Sequence, residues 1–357
     1  MADRIILKNA NVNGSLTDVT VLGGKIEQVG KTNAEGKVID IKGAKLFAGL
    51  VDIHTHGANG LDTMDSDVYE LASFMKKSGT TSFLPTTMTD SEENIAKVTN
   101  VPIEYREGCA NIMGFHLEGP YISEKYKGAQ CAEYIKDPDA ESLLKFKNAA
   151  MVTVAPELNG AMELIESAQK HGIKTSLGHT DADFAISDKA MKQGACCLTH
   201  TFNAMPPLHH RETGPIGAAI INDSYVQVIC DGEHIHKAAI LALYRIFGSD
   251  RMILISDSMR ARGLGDGEYC FGGQKITVKE GVARTESGAL AGSTATLLDC
   301  VRRAIEFGIP EEDAFKMASY TPSALMGWKK GRIEAGYDAE FIVTDENYKL
   351  LDTIILK

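Results

Sequence analysis

Apolar runs of strand length alternate with amphipathic stretches of helix length through the middle of the chain. Eight runs read as buried strands: LFAGLVDIHTH (46–56), TTSFLPTT (80–87), NIMGFHLEG (111–119), AMVTVAPE (150–157), KTSLGH (174–179), ACCLTHTFNAM (195–205), YVQVICDG (225–232) and RMILISDS (251–258). Segments such as SDVYELASFMKKSG and MELIESAQKHG lie between most of them, and several end in glycine, as helix C-caps often do. This alternation predicts an α/β fold, a (β/α)₈ barrel of the TIM type.

Both ends of the chain carry a different pattern, with short β-branched runs and no helical periodicity. The N-terminal runs are separated by Asn-Gly or Gly-rich turns, a hairpin signal, and the closing segment RIEAGYDAEFIVTDENYKLLDTIILK has the same character. We therefore predict a small β-sandwich domain from both termini (1–47 and 328–357) beside a barrel domain (48–327). Within the barrel, residues 206–223 are expected to open as a loop, and residues 259–292 to insert a hairpin.

The composition restricts the classes of partner. Lys and Arg number 37 against 48 Asp and Glu, so the formal net charge is −11, and without a basic run this argues against nucleic acid or an anionic membrane. The chain has no uninterrupted apolar span of about 18 residues, and MADRIILKN lacks a signal-peptide core. Seven cysteines with no C-x-x-C are typical of reduced, mostly buried thiols in a cytoplasmic protein.

Histidines and carboxylates gather where the predicted strands end. His54 and His56 are two residues apart, so both point to one face of the first strand. Later strands end in or carry further polar groups: Glu118, His179, His200 and Asp257. Because the active site of such a barrel lies at the carboxyl ends of its strands, we expect these side chains to meet. The alternative is a set of histidines that are satisfied separately by hydrogen bonds.

Imidazoles and carboxylates together favour a metal centre. Their nitrogen and oxygen atoms suit a borderline divalent ion such as Zn²⁺, Fe²⁺ or Mn²⁺. A carboxylate can bridge two ions, which suits Glu118 at the barrel centre. An ion lowers the pKa of bound water towards ~7, and Asp257 could hold the metal and also pass the proton of the water to a leaving nitrogen. No G-x-S-x-G, P-loop or G-x-G-x-x-G after a strand offers another chemistry.

Longer motifs cover nearly the whole chain: GLVDIHTHG, GFHLEGPYIS, LGHTDA, LTHTFNAMPPLHHRETG, CDGEHIH, ISDSMRARGLGDGEY, GALAGSTATL and GRIEAGYDAEFIV. On these the chain resembles the amidohydrolase superfamily and, within it, the N-acetylglucosamine-6-phosphate deacetylase family. HLEGP together with THTFNAMPP is specific to the deacetylases, whereas H-x-H and the closing motif occur across the superfamily. The resemblance implies hydrolysis of the acetamide of a phosphorylated amino sugar, N-acetyl-D-glucosamine 6-phosphate, to D-glucosamine 6-phosphate and acetate.

The resemblance also implies a set of metal ligands. His54, His56 and Asp257 would hold one ion. A second ion would lie on Glu118, His179 and His200, with Glu118 as the bridge. Two divalent ions per subunit are implied, Zn²⁺ or Fe²⁺, with Mn²⁺ and Co²⁺ also fitting. Many amidohydrolases bridge through a lysine of strand 4, but here that strand reads TVAPE, without lysine. Asp257 matches the catalytic acid/base of the family.

Substrate contacts are implied in the same way. Arg211 and His234 match phosphate-binding positions, and the family is dimeric with some of these contacts crossing the interface, which implies a homodimer. The sugar contacts that the resemblance implies are Gln130, Asn203, Ala204 and Leu290. Gln130 stands where other members have histidine. His116 shares a face with Glu118, and we interpret it as a support of the site rather than as a ligand.

Two other functions fit parts of the pattern. A cyclic-imide or dipeptide hydrolase would use the same barrel, but it would be expected to have the strand-4 lysine and would need no phosphate contact. A non-catalytic metal-binding scaffold would be expected to have lost at least one of the six metal or acid/base residues, and all six are present.

Overall fold

The structure, a computed structural model, describes residues 4–357; residues 1–3, where the predicted β domain begins, lie outside the described residues. The first strands are β1 (Ile5–Val12), β2 (Ser15–Leu22), β3 (Lys25–Val29), β4 (Lys37–Asp40) and β5 (Lys45–Ala48). The next strands are β6 (Leu50–Thr55), β7 (Gly57–Ala58), β8 (Leu61–Asp62), β9 (Thr80–Thr87), β10 (Asn111–Ile112), β11 (Phe115–Glu118), β12 (Ala149–Val154), β13 (Lys174–Leu177), β14 (Cys197–Leu198), β15 (Tyr225–Ile229) and β16 (Met252–Ile255). The last strands are β17 (Gly267–Phe271), β18 (Gln274–Lys279), β19 (Val282–Thr285), β20 (Glu340–Thr344) and β21 (Leu350–Ile355).

Ten α-helices are formed by the described residues. They are α1 (Val68–Lys77), α2 (Glu92–Thr99), α3 (Ala140–Leu143), α4 (Ala161–Lys170), α5 (Phe184–Gln193), α6 (Gly214–Ile221), α7 (Lys237–Arg251), α8 (Leu297–Glu306), α9 (Glu311–Met317) and α10 (Tyr320–Met326). None of these helices combines the length and the hydrophobicity needed to cross a bilayer.

Eight parallel strands form the barrel. Ladders run from β6 to β9 and then through β11, β12, β13, β14 and β15 to β16. Most of these strands are buried along their whole length, as is usual for a parallel sheet covered by helices. The predicted TIM-type barrel is therefore confirmed.

The two ends of the chain meet in one seven-stranded sheet, the terminal sheet. Its order is β21-β20-β5-β1-β2-β3, with β4 beside β1. Apolar side chains from both ends, including Leu7, Val19 and Phe341, pack into one cluster. The β-rich patterns at both termini therefore correspond to a shared sheet, while the exact division of the chain into two domains stays a prediction.

The predicted first strand (46–56) is two strands in the structure. β5 ends in the terminal sheet, and β6 begins in the barrel two residues later. Gly49 lies between them, where an added Cβ atom would be 2.2 Å from the hydroxyl oxygen of Thr81. Only glycine leaves room for this close approach, so Gly49 marks the point at which the chain passes from one sheet to the other.

The predicted insertions differ in character. Residues 259–292 carry the antiparallel sheet β17-β18-β19, which confirms the hairpin signals. Residues 206–223 open as a loop but then form α6. This helix is buried on nearly all sides, so its sequence GPIGAAII lacks the polar stripe by which an amphipathic helix is recognised.

Candidate metal centre

Two groups of three buried side chains meet at the carboxyl ends of the barrel strands. The first ligand group is His54, His56 and Asp257, and the second ligand group is Glu118, His179 and His200. Within each group the candidate ligand atoms all lie within 4.8 Å of one another. No member is more than 7% exposed. The structure thus brings together all six residues expected to meet; their roles as ligands stay a prediction.

The orientation of the imidazoles indicates which nitrogen is available to a ligand. In the first group, His54 Nδ1 donates to Gln227 Oε1 at 3.0 Å and His56 Nδ1 donates to the Thr86 carbonyl at 3.2 Å. In the second group, the Nδ1 atoms lie 2.7 Å from the Tyr126 carbonyl and 3.2 Å from the Asn203 carbonyl. Because each Nδ1 faces an acceptor, it carries a proton, which leaves the lone pair of Nε2 for a metal ion or for a second proton.

These lone pairs converge. The two Nε2 atoms are 3.3 Å apart in the first group and 3.0 Å apart in the second. Two unprotonated nitrogens at such a distance repel each other unless a positive charge lies near both. A borderline divalent ion satisfies this donor set, so the residues present fit the metal that the sequence predicts.

Glu118 joins the two groups. Its Oε1 atom lies 2.8 Å from His200 Nε2 and 3.2 Å from His179 Nε2. Its Oε2 atom lies 3.1 Å from His56 Nε2. Oε1 also lies 3.3 Å from His54 Nε2, so the carboxylate contacts members of both ligand groups, as a bridging carboxylate must.

The electrostatics of the centre favour ionised carboxylates. Burial acts to raise the pKa of Glu118, but the neighbouring imidazoles of His54 and His179 hold it well below its usual range. Burial would lower the pKa of His56, but the carboxylates of Asp257 and Glu118 raise it to about 10. The centre is thus built to hold positive charge, whether as protons or as a metal.

His116 has a different environment from the ligand histidines. Its Nδ1 lies 3.1 Å from the Ile53 carbonyl, and its Nε2 lies 2.8 Å from Thr153 Oγ1, so both nitrogens are already hydrogen-bonded. Burial, and then the charge of His54, keep the pKa of His116 well below its usual value. A neutral imidazole with no free lone pair agrees with its interpretation as a support.

Three of the six residues have a left-handed backbone. The φ angles are +46° at His179, +26° at His200 and +45° at Asp257. Non-glycine residues rarely adopt these angles, and each such residue costs on the order of 1–3 kcal/mol. The three strand ends therefore turn sharply at the ligand itself.

A cavity of about 390 Å³ opens above the two ligand groups. All the sugar-contact candidates lie on its wall: Gln130, Asn203, Ala204 and Leu290. His234 also lines it, whereas Arg211 does not. Such a volume is typical of a small-molecule site.

Gln130 and His234 bond to carboxylates at the cavity wall. Gln130 donates through Nε2 to Glu118 Oε2 at 2.8 Å and accepts from the Thr89 N–H at 2.7 Å. Its amide therefore holds the bridging carboxylate, a role that the sequence did not reveal. His234 donates through Nδ1 to Asp231 at 2.6 Å; burial lowers its pKa, but this carboxylate raises it above the usual value.

Arg211 lies outside the cavity of its own chain. Its side chain is exposed and approaches His210 Nε2 at 2.6 Å. Among the described residues that line the cavity, Lys125 is the one with a permanently cationic side chain, and it is paired with Asp181 at 2.7 Å. Within one chain, this arrangement does not place Arg211 where it could contact a phosphate in the cavity.

Phe271, from the inserted sheet, completes the wall. Its ring lies edge-on to the His56 imidazole, with centroids 5.1 Å apart, and the side chain is 3% exposed. A hairpin pattern indicates that such an insertion exists but not where it packs, so the sequence did not identify this residue.

The comparisons with known proteins agree with this geometry. Residues 46–356 match the model of the Amidohydrolase family. The N-acetylglucosamine-6-phosphate deacetylase of Bacillus subtilis (strain 168) is 39% identical over 327 residues, which are 87% of this chain and 83% of the relative. The chain belongs to the amidohydrolase family, among its N-acetylglucosamine-6-phosphate deacetylases. The six ligand candidates of this amidohydrolase all lie within the matched range.

Solved structures of such deacetylases superpose along nearly the whole amidohydrolase chain. The enzyme of Thermotoga maritima has a TM-score of 0.89 and 33% identity, covering 98% of both chains. A mutant of the Mycobacterium smegmatis N-acetyl-D-glucosamine-6-phosphate deacetylase, in complex with N-acetyl-D-glucosamine-6-phosphate, has a TM-score of 0.88 and 27% identity, covering 99% and 97%. The terminal sheet and the barrel are therefore both shared with these proteins.

Proposed function

We propose that this amidohydrolase hydrolyses the acetamide of N-acetyl-D-glucosamine 6-phosphate to D-glucosamine 6-phosphate and acetate, in amino-sugar catabolism. The observation that carries the proposal is the pair of three-donor groups, joined by Glu118, on the floor of one small cavity. The family supplies the substrate class. A cyclic-imide or dipeptide hydrolase is disfavoured because strand β12 carries no lysine for the bridge.

The two ligand groups would each hold one divalent ion, with Glu118 shared between them. Imidazole and carboxylate donors suit Zn²⁺ or Fe²⁺, and Mn²⁺ or Co²⁺ would also fit. When bound, such ions polarise a carbonyl and lower the pKa of water.

Asp257 carries the proton through the reaction. It lines the cavity, and its Oδ1 atom lies 3.3 Å from His56 Nε2. Water adds to the acetamide carbon as Asp257 takes its proton. The C–N bond then breaks as Asp257 gives that proton to the departing nitrogen, which leaves the free amine and acetic acid; the acid passes its own proton to the amine or to solvent and becomes acetate.

The phosphate requires positive charge that a single subunit supplies only in part. His234 lines the cavity, and its bond to Asp231 favours the imidazolium form. Arg211, exposed on its own chain, would reach the cavity of a second subunit in a homodimer. A guanidinium gives two parallel hydrogen bonds to a phosphate, which suits this role.

Acetate release tests the proposed reaction. Purified protein should release acetate and free amine from N-acetyl-D-glucosamine 6-phosphate in equal amounts. Protein treated with a chelator should be inactive, and added divalent metal should restore it. N-acetyl-D-galactosamine 6-phosphate and unphosphorylated N-acetyl-D-glucosamine, run in parallel, measure the preference for the sugar and for the phosphate. Metal-loaded protein without acetate release would refute the proposal.

Arg211→Ala tests the phosphate contact and the homodimer together. We expect a rise in KM of about 10-fold or more towards the phosphorylated substrate, the loss expected for a charge-assisted contact, with little change towards unphosphorylated N-acetylglucosamine. Hybrid dimers of an Arg211→Ala subunit with an Asp257→Asn subunit should regain one complete site. Equal losses on both substrates would contradict the phosphate contact, and hybrids without regained activity would contradict its crossing between subunits.

A further inference from the structure

The barrel has a seam between its first and last strands. Among residues 4–357, no ladder pairs β6 with β16, although these strands are neighbours in the barrel. The N–H of Val51 on β6 donates instead to the Ala318 carbonyl. Backbone bonds cross the seam at its carboxyl end, where Asp257 N–H donates to the His54 carbonyl at 2.9 Å, and the N–H groups of His56 and Gly57 donate to the Ser258 carbonyl at 2.8 and 3.0 Å.

The first ligand group spans this seam. His54 and His56 lie on the β6 side, and Asp257 follows β16. The second ligand group follows β11, β13 and β14, which are joined through β12 by continuous ladders. The distance between the members of the first group therefore depends on whatever fixes β6 against β16, whereas the second group is held by ordinary sheet pairing.

A buried carboxylate fills the gap in the ladder. Asp52, on β6, is 0% exposed, and its Oδ1 accepts from two backbone donors, His54 N–H at 3.3 Å and Ser256 N–H at 3.4 Å. Its Oδ2 accepts from the Ser256 hydroxyl at 2.5 Å. Asp52 thus links His54, a candidate ligand on β6, to Ser256 on the other side of the seam. Ser256 directly precedes the candidate ligand Asp257.

Further buried groups continue this connection. Ser258 Oγ lies 2.8 Å from Thr55 Oγ1 and donates to the Gly57 carbonyl at 2.9 Å, so it also crosses the seam. Arg262, 1% exposed, donates to the same hydroxyl at 3.2 Å and supplies positive charge near Asp52. The carboxylate is therefore partnered on both oxygens and has a compensating cation, which a buried charge requires.

We infer that Asp52 is a positioning residue: through its bridge to Ser256 it holds the first ligand group in register across the seam, and so sets the affinity for the first ion and not for the second. The inference rests on the two-ion centre of the proposed function. Asp52 touches neither the cavity nor a candidate ligand atom of the centre; it acts through the backbone of His54 and of Ser256.

The test follows metal release from the purified holoprotein. Metal remaining per subunit is measured over time in a chelator, and the His56→Asn variant identifies the phase that belongs to the first ion. Asp52→Ala, which removes the bridge, and Ser256→Ala, which removes its 2.5 Å hydroxyl bond, should release the first ion about 10–100-fold faster, in line with the loss of metal affinity known for groups that orient metal ligands. The second ion should leave at the wild-type rate in both.

Two further variants separate the bridge from other effects. In Asp52→Asn, the remaining oxygen can still accept from both N–H groups and the amide can donate to Ser256 Oγ, so the release of the first ion should stay close to wild type. Ser176→Ala is the matched control. It removes an equally buried serine hydroxyl, which accepts from Thr199 Oγ1 at 2.7 Å between the paired strands β13 and β14, and it should leave the first-ion phase unchanged.

The outcomes are distinct. Circular dichroism establishes that each variant is folded, and Ser256→Ala, which deletes one hydroxyl, carries the test if Asp52→Ala does not fold. Wild-type release of the first ion from folded Ser256→Ala overturns the inference alone. The inference is also overturned if Asp52→Asn releases the first ion as fast as Asp52→Ala does. The negative charge of Asp52, and not its hydrogen-bonded bridge, would then set the release rate. Wild-type protein that holds no ion refutes the proposed function together with the inference.

Discussion

Asp257 is the residue at which the proposed metal binding and the proposed proton transfer meet. Its Oδ1 atom lies 3.4 Å from His54 Nε2 and 3.3 Å from His56 Nε2, while the residue also lines the cavity. Burial would raise the pKa of Asp257, but the two imidazoles lower it below the usual value. The carboxylate is therefore ionised and able to accept a proton from water.

Asp257→Asn should lose most of the turnover and keep substrate binding. The amide has the same size and one oxygen, but it cannot take a proton, so we expect kcat to fall by about 10²–10⁴-fold, the usual share of general acid–base catalysis. Steady-state kinetics measure kcat, calorimetry measures binding, and elemental analysis establishes that metal is retained. A metal-loaded variant with near-normal kcat would contradict the role of Asp257.

Gln130→Leu should destabilise the protein. It removes the donor to Glu118 Oε2 and leaves the Thr89 N–H, which is buried, without its acceptor. An unpaired buried group costs about 1–3 kcal/mol, measurable as a lower urea midpoint. Gln274→Leu is the control, because the amide of Gln274 bonds the Ala129 carbonyl in a less buried position. Equal losses in both variants would contradict the argument.

The candidate ligands are easier to find in the sequence than the groups that orient them. His54 and His56 are recognisable because a two-residue spacing on a strand has a fixed geometric meaning. The acceptors of their Nδ1 protons, Gln227 and the Thr86 carbonyl, come from other strands and form no local motif. Arg211 shows the converse: a motif can suggest a phosphate contact, but only the fold reveals that the residue lies outside its own cavity.

At the scale of the elements, the inserted sheet β17-β18-β19 closes one side of the cavity. Its turn follows Phe271, and Gln274 Nε2 donates to the Ala129 carbonyl at 3.1 Å. Gly272 in that turn has φ +58°, and an added Cβ atom would be 2.5 Å from the Ala129 carbonyl oxygen. The turn is therefore packed directly against the segment that carries Gln130.

Gly272→Ala should push this turn off the cavity wall. The left-handed backbone costs a non-glycine residue about 1–2 kcal/mol, and the clash with the Ala129 carbonyl adds to this. Gly273→Ala is the matched control, since Gly273 has φ +74° with no atom within 4 Å of the added Cβ. We expect KM to rise in Gly272→Ala only. The midpoint of thermal unfolding should also fall further in Gly272→Ala than in Gly273→Ala. Identical behaviour of the two variants would rule out the packing argument.

The alternation of apolar runs and helical stretches was sufficient to predict the barrel, because each strand must be buried and each helix amphipathic. It could not reveal the seam. β6 and β16 have the same buried composition as the other strands, and whether two strands pair depends on backbone positions fixed by the whole barrel. The split at Gly49 was not predicted for a related reason: one continuous apolar run contributes strands to two different sheets.

At the scale of the whole molecule, a buried ion network joins the terminal sheet to the barrel. Glu340 of β20 accepts from Ser82 Oγ at 2.9 Å and from Asn111 Nδ2 at 2.8 Å, both in the barrel region. The same carboxylate is paired with Lys330, and both side chains are at most 4% exposed. The barrel residues Ser82 and Asn111 therefore bind the carboxylate of a buried charge pair that belongs to the C-terminal segment.

Lys330→Met should destabilise both parts together. It removes the nearer cation of the buried Glu340 carboxylate, which keeps the more distant Lys357 at 3.9 Å, and it also removes the partner of Asp338. Breaking a buried pair in this way costs about 3–5 kcal/mol. Urea unfolding should remain a single transition at a lower midpoint, and the double variant with Glu340→Gln should recover part of the loss. Lys170→Met breaks an exposed pair with Glu166 and should change stability by less than about 1 kcal/mol. A loss no larger than this control would contradict the coupling.

The left-handed backbone at three candidate ligands has a consequence for selection experiments. These residues are His179, His200 and Asp257. At each position glycine would relieve backbone strain on the order of 1–3 kcal/mol and abolish a side chain that the proposed centre requires. A library screened for thermal resistance alone should therefore drift towards glycine at these sites, and one screened for acetate release should not. Where the two screens disagree, the molecule retains a costly conformation for the sake of its chemistry.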